Sequence, residues 1–435
     1  MAEDDTEHPP TENRPTGDAR ATAGSPDRDS PDPEPAAPDS PTRPRRRRRR
    51  RRWLMITAGV LALLLVACGT VLWIAYRKLD GNIRTDSATD QLLARLEAER
   101  PSRTAGAKGA ENILLIGSDD RTGANATYGE AGGQRSDTTI LLHLAADRKH
   151  ATAVSIPRDV MVTVPVCEKP DGTRSRQVLA QFNSAFETGG PACSIRAVEQ
   201  LSGIRMDHYV ILDFHGFKTM VDAVDGVEVC VPQAIHDKDA KLDLPAGRQT
   251  LRGEQALGYV RARETLGDGS DTQRMGRQQQ FLAALIRKVQ SQGVLLNPAR
   301  LWPVLDAATS SVRADGGLSS LGALYDLTQD LRGIPSADAV FLTAPRRPYR
   351  FDSDRDEFVQ PLTTQLFTAL RDDRSITVRP PGSPDPSAMA GASPGPSGAA
   401  TAAAGSDRAA GASPTATTAP SFEGRTADMD GCAIH

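Results

Sequence analysis

Eight consecutive arginines, Arg45 to Arg52, run straight into WLMITAGVLALLLVACGTVLWIAY, 24 uncharged residues from Trp53 to Tyr76. At 1.5 Å per residue a helix of that length reaches about 36 Å, enough for a hydrocarbon core of about 30 Å. The pattern predicts one transmembrane helix over 53–76. Arginine beside it favours keeping the N-terminal side in the cytoplasm, which places residues 77–435 outside. Trp53, Trp73 and Tyr76 fall where interfacial aromatics are expected. The topology accounts for the basic run, so no nucleic-acid partner is needed to explain it. A rival reading takes Leu65-Val66-Ala67-Cys68 as a lipoprotein processing site. The apolar run continues past Cys68, and the charged leader is far longer than a signal peptide, which argues against it. The final CAIH imitates a prenylation box, but an exported segment would not meet a cytoplasmic prenyltransferase.

The two ends have no composition for a core. Residues 1–44 are rich in Pro, Asp, Glu, Ser and Thr, so residues 1–52 read as a disordered cytoplasmic tail ending in polyarginine. Residues 77–110 are charged and Ala-rich, with Leu92, Leu93 and Leu96 at helical spacing, which suggests a short helical stalk. Residues 376–435 are dominated by Ala, Ser, Pro, Gly and Thr and read as a disordered low-complexity tail. One folded domain, 111–375, remains.

Within it, NILLIG (112–117), TTILLHL (138–144), ATAVSI (151–156), HYVILDF (208–214), VEVCV (227–231) and AVFLTA (339–344) are compact apolar runs of strand length. Between them, 194–203, 216–226, 253–263 and 277–293 carry apolar residues every three or four positions, as amphipathic helices do. The expected fold is a three-layer α/β domain, a mixed central sheet flanked by helices. Cys167 and Cys193 border loop sequence and are candidates for a disulfide in an oxidising compartment. Cys230, in an apolar run, reads as a buried free thiol, and Cys432 has no assignment.

Charge gathers at strand ends. The full chain has net charge −3, and removing the 12 Arg and 11 acidic residues of 1–52 from the 52 basic and 55 acidic residues leaves 40 and 44. The arginines of YVRARETLGDGSDTQRMGRQQQ (259–280) are therefore a local concentration: Arg261, Arg263, Arg274 and Arg277 surround Asp268 and Asp271. Asp119-Asp120-Arg121 follows the first apolar run, Arg135-Ser136-Asp137 precedes the second, and Arg158-Asp159 follows the third. Guanidinium forks match phosphate oxygens two at a time, and a few Asp oxygens suit a hard cation, Mg²⁺ or Mn²⁺. Together they suggest a metal-bound pyrophosphate. Arg261 and Arg263, at i and i+2, can both serve only if the helix ends there. Phe281, Leu282 and Leu285 are candidates to line an apolar groove. Within 111–375 no Gly-x-Ser-x-Gly elbow, phosphate-binding loop with Gly-Lys-Ser/Thr, or zinc-spaced Cys/His set occurs. His143, His208 and His215 read as structural.

NILLIGSDDR, QRSDTTILLH, SIPRDV, FNSAF followed by GGPA, and LRGEQALGYVRAR continuing to DTQRMGRQQQ together resemble the LytR-CpsA-Psr family of Gram-positive envelope enzymes. The likeness covers about residues 111–290, more weakly to 373. It implies a membrane-anchored phosphotransferase with an outside catalytic domain. Such an enzyme moves a glycopolymer from a polyprenyl pyrophosphate carrier to the C6 hydroxyl of peptidoglycan N-acetylmuramic acid. Motif by motif, the resemblance implies metal-binding carboxylates at Asp119 and Asp137. It implies pyrophosphate-binding and catalytic arginines at Arg135, Arg158, Arg261, Arg263 and Arg274, with Asp271 catalytic and Gln278 substrate-binding. A longer segment between Asp119 and Asp137 and an extra residue between Arg263 and Asp271 depart from the family pattern and leave the roles of Asp268 and Asp271 open. A non-catalytic module binding lipid-linked glycan, or a hydrolase on the same carrier, would use many of the same residues. The arginine- and alanine-rich composition suggests an actinobacterial source. The polymer, whether teichoic acid, capsule, arabinogalactan or a glycoprotein glycan, is not legible.

Overall fold

The computed structural model describes residues 45–119, 136–169, 171–262, 271–290, 298–381, 383, 421–429 and 432. They fall into two compact units, Met1–Ala67 and Cys68–His435. Helix α1 (Arg45–Asn82) contains the apolar run, and its segment Arg48–Asn82 is the one described helix long and apolar enough to cross a membrane. From Trp53 to Tyr76 its large apolar side chains are exposed on every side, Leu63 at 70%. That pattern suits a lipid environment and no water-facing helix.

The second unit continues with β1 (Arg84–Thr85), α2 (Ser87–Arg95), β2 (Glu111–Ser118), β3 (Ser136–Leu144), β4 (Ala151–Ile156), β5 (Met161–Val164), β6 (Val178–Gln181) and α3 (Asn183–Ser202). Then come β7 (His208–Asp213), α4 (Phe214–Ala223), β8 (Val227–Val231), β9 (Ile235–Asp237), β10 (Leu242–Leu244), β11 (Gly247–Leu251), α5 (Gly253–Arg261) and α6 (Asp271–Gln290). After these follow α7 (Pro298–Ser311), β12 (Val312–Ala314), α8 (Leu321–Arg332), β13 (Ala339–Thr343), β14 (Arg346–Tyr349), β15 (Asp352–Phe358), α9 (Leu362–Arg371), β16 (Thr377–Arg379) and β17 (Ser421–Thr426).

Among the described residues the central sheet has nine strands in the order β1-β12-β7-β2-β3-β4-β13-β17-β16. It is mixed: β2 runs parallel to β7 and antiparallel to β3, and β4 runs parallel to β13. Alternation along β2 distributes its side chains to two cores. Leu114 and Ile116 join Phe186, Ile195 and Val198 of α3 and Leu366 and Phe367 of α9 on one face. Ile113 and Leu115 meet Leu282, Ala283 and Ile286 of α6 on the other. Both faces are covered, which is why the central strands read as unbroken apolar runs. A third cluster joins α4, α5 and α6 to β8–β11 through Val221, Val229, Leu251, Tyr259 and Phe281.

Three expectations are corrected. The 77–110 segment is no stalk: Leu79, Ile83 and Leu93 are buried, and β1 pairs in parallel with β12. The leucine spacing marked a real helix, but its apolar face packs on the domain rather than standing free. The tail from 376 is not wholly without structure: β17 inserts between β13 and β16 and buries Phe422. Cys230 is bridged to Cys432 and is not a free thiol. VEVCV forms a strand as expected and, among the described residues, pairs only with β11, outside the central sheet. The anticipated Cys167–Cys193 disulfide is present.

The histidines are held by polar neighbours. Buried His143 meets Asn112 Oδ1 through Nδ1 at 2.8 Å and Asp373 Oδ1 through Nε2 at 3.0 Å. Burial is the larger influence and holds its pKa below the ordinary 6.5, with Asp373 pulling the other way. Its contribution to stability is therefore intact above pH 6.5 and is lost as pH falls through the folded value. His208 is shifted upward by its hydrogen bond to Asp315, so its own contribution is lost only as pH rises above 6.5. Of these two histidines, His143 is the one whose contribution changes as pH falls below 6.5. A His143→Gln chain should lose less stability than the parent between about pH 6.5 and 5 when urea midpoints are compared at each pH. Parallel slopes would contradict this.

Candidate active site

The site begins with a bulge. Gly117 lies opposite Thr138 and Ser118 opposite Ser136, so Asp137 is one residue too many for the β2–β3 ladder. A bulge kinks its strand and re-aims the extra side chain. The approach at Gly117 is close: a Cβ there would sit 3.2 Å from the Thr138 Cβ. Asp119, the residue after β2, is buried beside it on the same cavity wall.

Two residues past β4, Arg158 is oriented by two carboxylates. Its Nη1 donates to Asp137 Oδ1 at 2.8 Å and its Nε to Asp159 Oδ2 at 3.1 Å. Gln181 Nε2 donates to Asp159 Oδ1 at 3.1 Å, and Asn183 N donates to the Arg158 carbonyl at 3.0 Å. The motif PRD therefore delivers an arginine whose fork is aimed before any ligand arrives, which lowers the cost of ordering it.

Helix α5 ends at Arg261, and Ala262 leaves it with φ −52° and ψ 138°. The helix thus stops where the i, i+2 spacing demanded, and the Arg261 guanidinium lies 4.6 Å from the Phe214 ring centroid. On α6, Arg274 and Gln278 share a face at i, i+4. Arg274 is 4% exposed and lines the cavity. Gln278 Nε2 donates to Thr138 Oγ1 and to the Val260 carbonyl, both at 3.1 Å, tying α6 to β3 and α5. Arg277 donates to the Ala262 carbonyl and so pins the end of α5.

Arg277 and Ala262 apart, these groups line one cavity of about 960 Å³. The rest of the lining is largely apolar: Leu115 and Val210 from the sheet, Phe217 from α4, and Phe281, Leu282 and Leu285 from α6. The Phe217 and Phe281 rings are 5.4 Å apart. Buried Tyr259, whose hydroxyl meets Gln280 Oε1 at 3.1 Å, has its pKa pushed up to about 12, so it stays protonated and structural. A cavity that combines an apolar wall with cationic and acidic groups suits an amphiphile with a polyanionic head.

Asp119, Asp137, Arg158, Arg261, Arg274 and Gln278 converge on this cavity, as do Phe281, Leu282 and Leu285. Arg135, Arg263 and Asp268 lie outside the described residues, and so does the side chain of Asp271, the first residue of α6. The sequence did not single out Asp159 as an orienting group, nor Gln181, Phe214 or Asp213. Asp213 is the N-cap of α4, accepting from Gly216 N at 2.7 Å, and a strand ending in Asp before a helix was the available signal. Neither His143, His208 nor His215 lines the cavity.

A probable cell wall biosynthesis protein, LcpB, of Corynebacterium glutamicum is 38% identical over 236 residues, 52% of this chain and 53% of that one. TagT of Bacillus subtilis, a polyisoprenyl-teichoic acid–peptidoglycan teichoic acid transferase, is 30% identical over 291 residues, 66% of this chain and 84% of that one. The chain spans about half the length of the corynebacterial relatives LcpB and LcpA, 53% and 50%. The crystal structure of protein gbs0355 from Streptococcus agalactiae shares the fold, with a TM-score of 0.50 at 20% identity over 63% of this chain and 92% of that one. The LytR_cpsA_psr family model matches residues 79–369 of the 435, and it is to this family that the chain belongs.

Proposed function

We propose that this chain transfers a wall glycopolymer from a polyprenyl pyrophosphate carrier to the C6 hydroxyl of peptidoglycan N-acetylmuramic acid, on the outer side of the membrane. The observation that carries the reading is one cavity lined both by an apolar set and by Asp119, Asp137, Arg158, Arg261 and Arg274. The names of relatives such as TagT, a teichoic acid transferase to peptidoglycan, support the reaction class. Arginines beside the N-terminal end of α1 support the orientation.

In this reading the carrier's tail fills the chamber against Phe281, Leu282 and Leu285, and the diphosphate sits at the mouth. The sugar hydroxyl forms a bond to the phosphorus nearer the polymer while the bond to polyprenyl phosphate breaks. Phosphoryl transfer of this kind asks for positioning and charge neutralisation, not for a protein nucleophile. Arg158, held by Asp137 and Asp159, and Arg261, packed on Phe214, meet the diphosphate oxygens. Arg274 adds a buried positive charge, and Asp271 accepts the hydroxyl proton. Asp119 and Asp137 would hold Mg²⁺ or Mn²⁺, which supplies further neutralisation of the diphosphate. The donor set fits such an ion. No cluster of three or more His, Cys, Asp or Glu occurs among the described residues, and Mg²⁺ commonly takes one or two carboxylates with water and phosphate.

The test uses the full chain in detergent with carrier-linked glycan and peptidoglycan acceptor. Attached polymer and free polyprenyl phosphate are expected, with EDTA suppressing both and Asp119→Asn raising the Mg²⁺ needed for half-maximal rate about tenfold or more. Polymer released without attachment would make the chain a hydrolase, and binding without turnover would make it a glycan-binding module.

A further inference from the structure

The β14–β15 hairpin is outside the cavity, yet its base is bonded to the site. Val160 and Asp356 form a parallel bridge, and Asp356 N donates to the Asp159 carbonyl at 3.1 Å. Asp159 is the residue whose carboxylate holds Arg158. Buried Asp356 is paired with Arg346 across the hairpin, so the base is fixed. The register then shifts between Pro348, opposite Asp356, and Tyr349, opposite Asp352, an irregularity that interrupts the regular ladder before the tip.

At the tip, Phe351 is 74% exposed. An exposed phenylalanine by itself needs no explanation. This one is held in a built stack: the Tyr349 ring stands edge-on to it at 5.4 Å and the Arg350 guanidinium lies 4.6 Å from its centroid. Between 346 and 358 there are four arginines and four carboxylates, so the hairpin has no net charge. Three of the arginines pair within it, Arg346 with Asp356, Arg347 with Glu357 and Arg355 with Asp352. From Asp356 to Phe351 the chain spans at most about 17 Å.

We propose that Tyr349, Arg350 and Phe351 form the platform on which the acceptor, a peptidoglycan sugar strand, docks so that its hydroxyl reaches the mouth beside Arg158; the inference rests on the transferase reading. A sugar ring offers an apolar face with hydroxyl and amide groups at its edge. It therefore suits an aromatic surface flanked by both donors and acceptors. An anionic bilayer or a polyanionic polymer would select a basic surface, which the balanced hairpin does not offer. The carrier's tail already has the chamber. Continuity from the tip through Asp356 to Asp159 and Arg158 is what ties this surface to the reaction rather than to an unrelated partner.

Sedimentation of the full chain in detergent with peptidoglycan sacculi stripped of attached polymer tests it. Phe351→Ala should weaken retention about five- to tenfold and raise the KM for acceptor by a like factor, while the KM for the carrier-linked donor and kcat at saturating acceptor stay at parent values. Phe351→Trp should restore both. Because the side chain is exposed, a folding defect does not intervene. Parent-like retention and acceptor KM in Phe351→Ala, with the parent chain active, would overturn the platform and leave the transferase reading standing. A parent chain that neither transfers nor binds sacculi would overturn both. Hydrogen exchange of 346–358 in the full chain reconstituted in phosphatidylglycerol vesicles closes the remaining route. Protection there without added sacculi would assign the tip to lipid and also overturn the proposal.

Discussion

An Arg261→Ala chain is expected to transfer polymer about 10³-fold more slowly than the parent at saturating substrates. Arg261 stands at the last turn of α5, stacked on Phe214, and lines the cavity together with its apolar residues. Removing it leaves the chamber intact, so carrier binding through the tail should survive and the deficit should fall on kcat. Arg261→Lys keeps the charge but loses the planar fork and the stack, so it should recover only part of the rate. The lost contact with Phe214 is worth about 1 kcal/mol, so the melting temperature should move by only a few degrees. Single-turnover rates with purified carrier-linked glycan decide it. A loss below tenfold would mean that the positive charge at this helix end has no part in the reaction.

Ending the chain at residue 420 should lower stability by at least about 4 kcal/mol and the melting temperature by about 10 °C. The truncation removes β17, which supplies buried Phe422 and pairs with β13, buried Ala427 just after it, and Cys432 with its bridge to Cys230. Gly424 lies so close to β13 that a Cβ there would meet the Phe341 carbonyl oxygen at 2.5 Å. Gly424→Ala should therefore destabilise in the same direction by a smaller amount. Thermal melts under non-reducing conditions read both variants. An unchanged midpoint in the truncated chain would mean that residues 421–426 do not belong to the sheet.

The tail illustrates what a sequence withholds. SFEGRT is six residues in a background of Ala, Ser, Pro and Gly, and any window wide enough to show a period averages it away. The same holds for β1, two residues, and β12, three residues: partners on the sheet specify them, local pattern does not. By contrast β2, β3, β4, β7 and β13 were legible, because burial on both faces leaves each as an apolar run with charged ends. The site divides in a similar way. Arg158, Arg261, Asp119 and Asp137 stood at strand or helix ends, where side-chain charge is conspicuous. Gln181 and Phe214 act through another residue, Gln181 on Asp159 and Phe214 under Arg261, and such contacts exist only after folding. The role of Cys432 depended on a partner 202 residues away.

The central claim is that one polyprenyl pyrophosphate lies with its tail in the chamber and its diphosphate at the arginine mouth. A crystal structure of the full chain with polyprenyl pyrophosphate tests it most directly. The account predicts isoprene density against Phe281, Leu282 and Leu285, with phosphate oxygens within hydrogen-bond distance of Arg158 and Arg261. Lipid bound elsewhere, or a diphosphate facing away from both guanidinium groups, would contradict it.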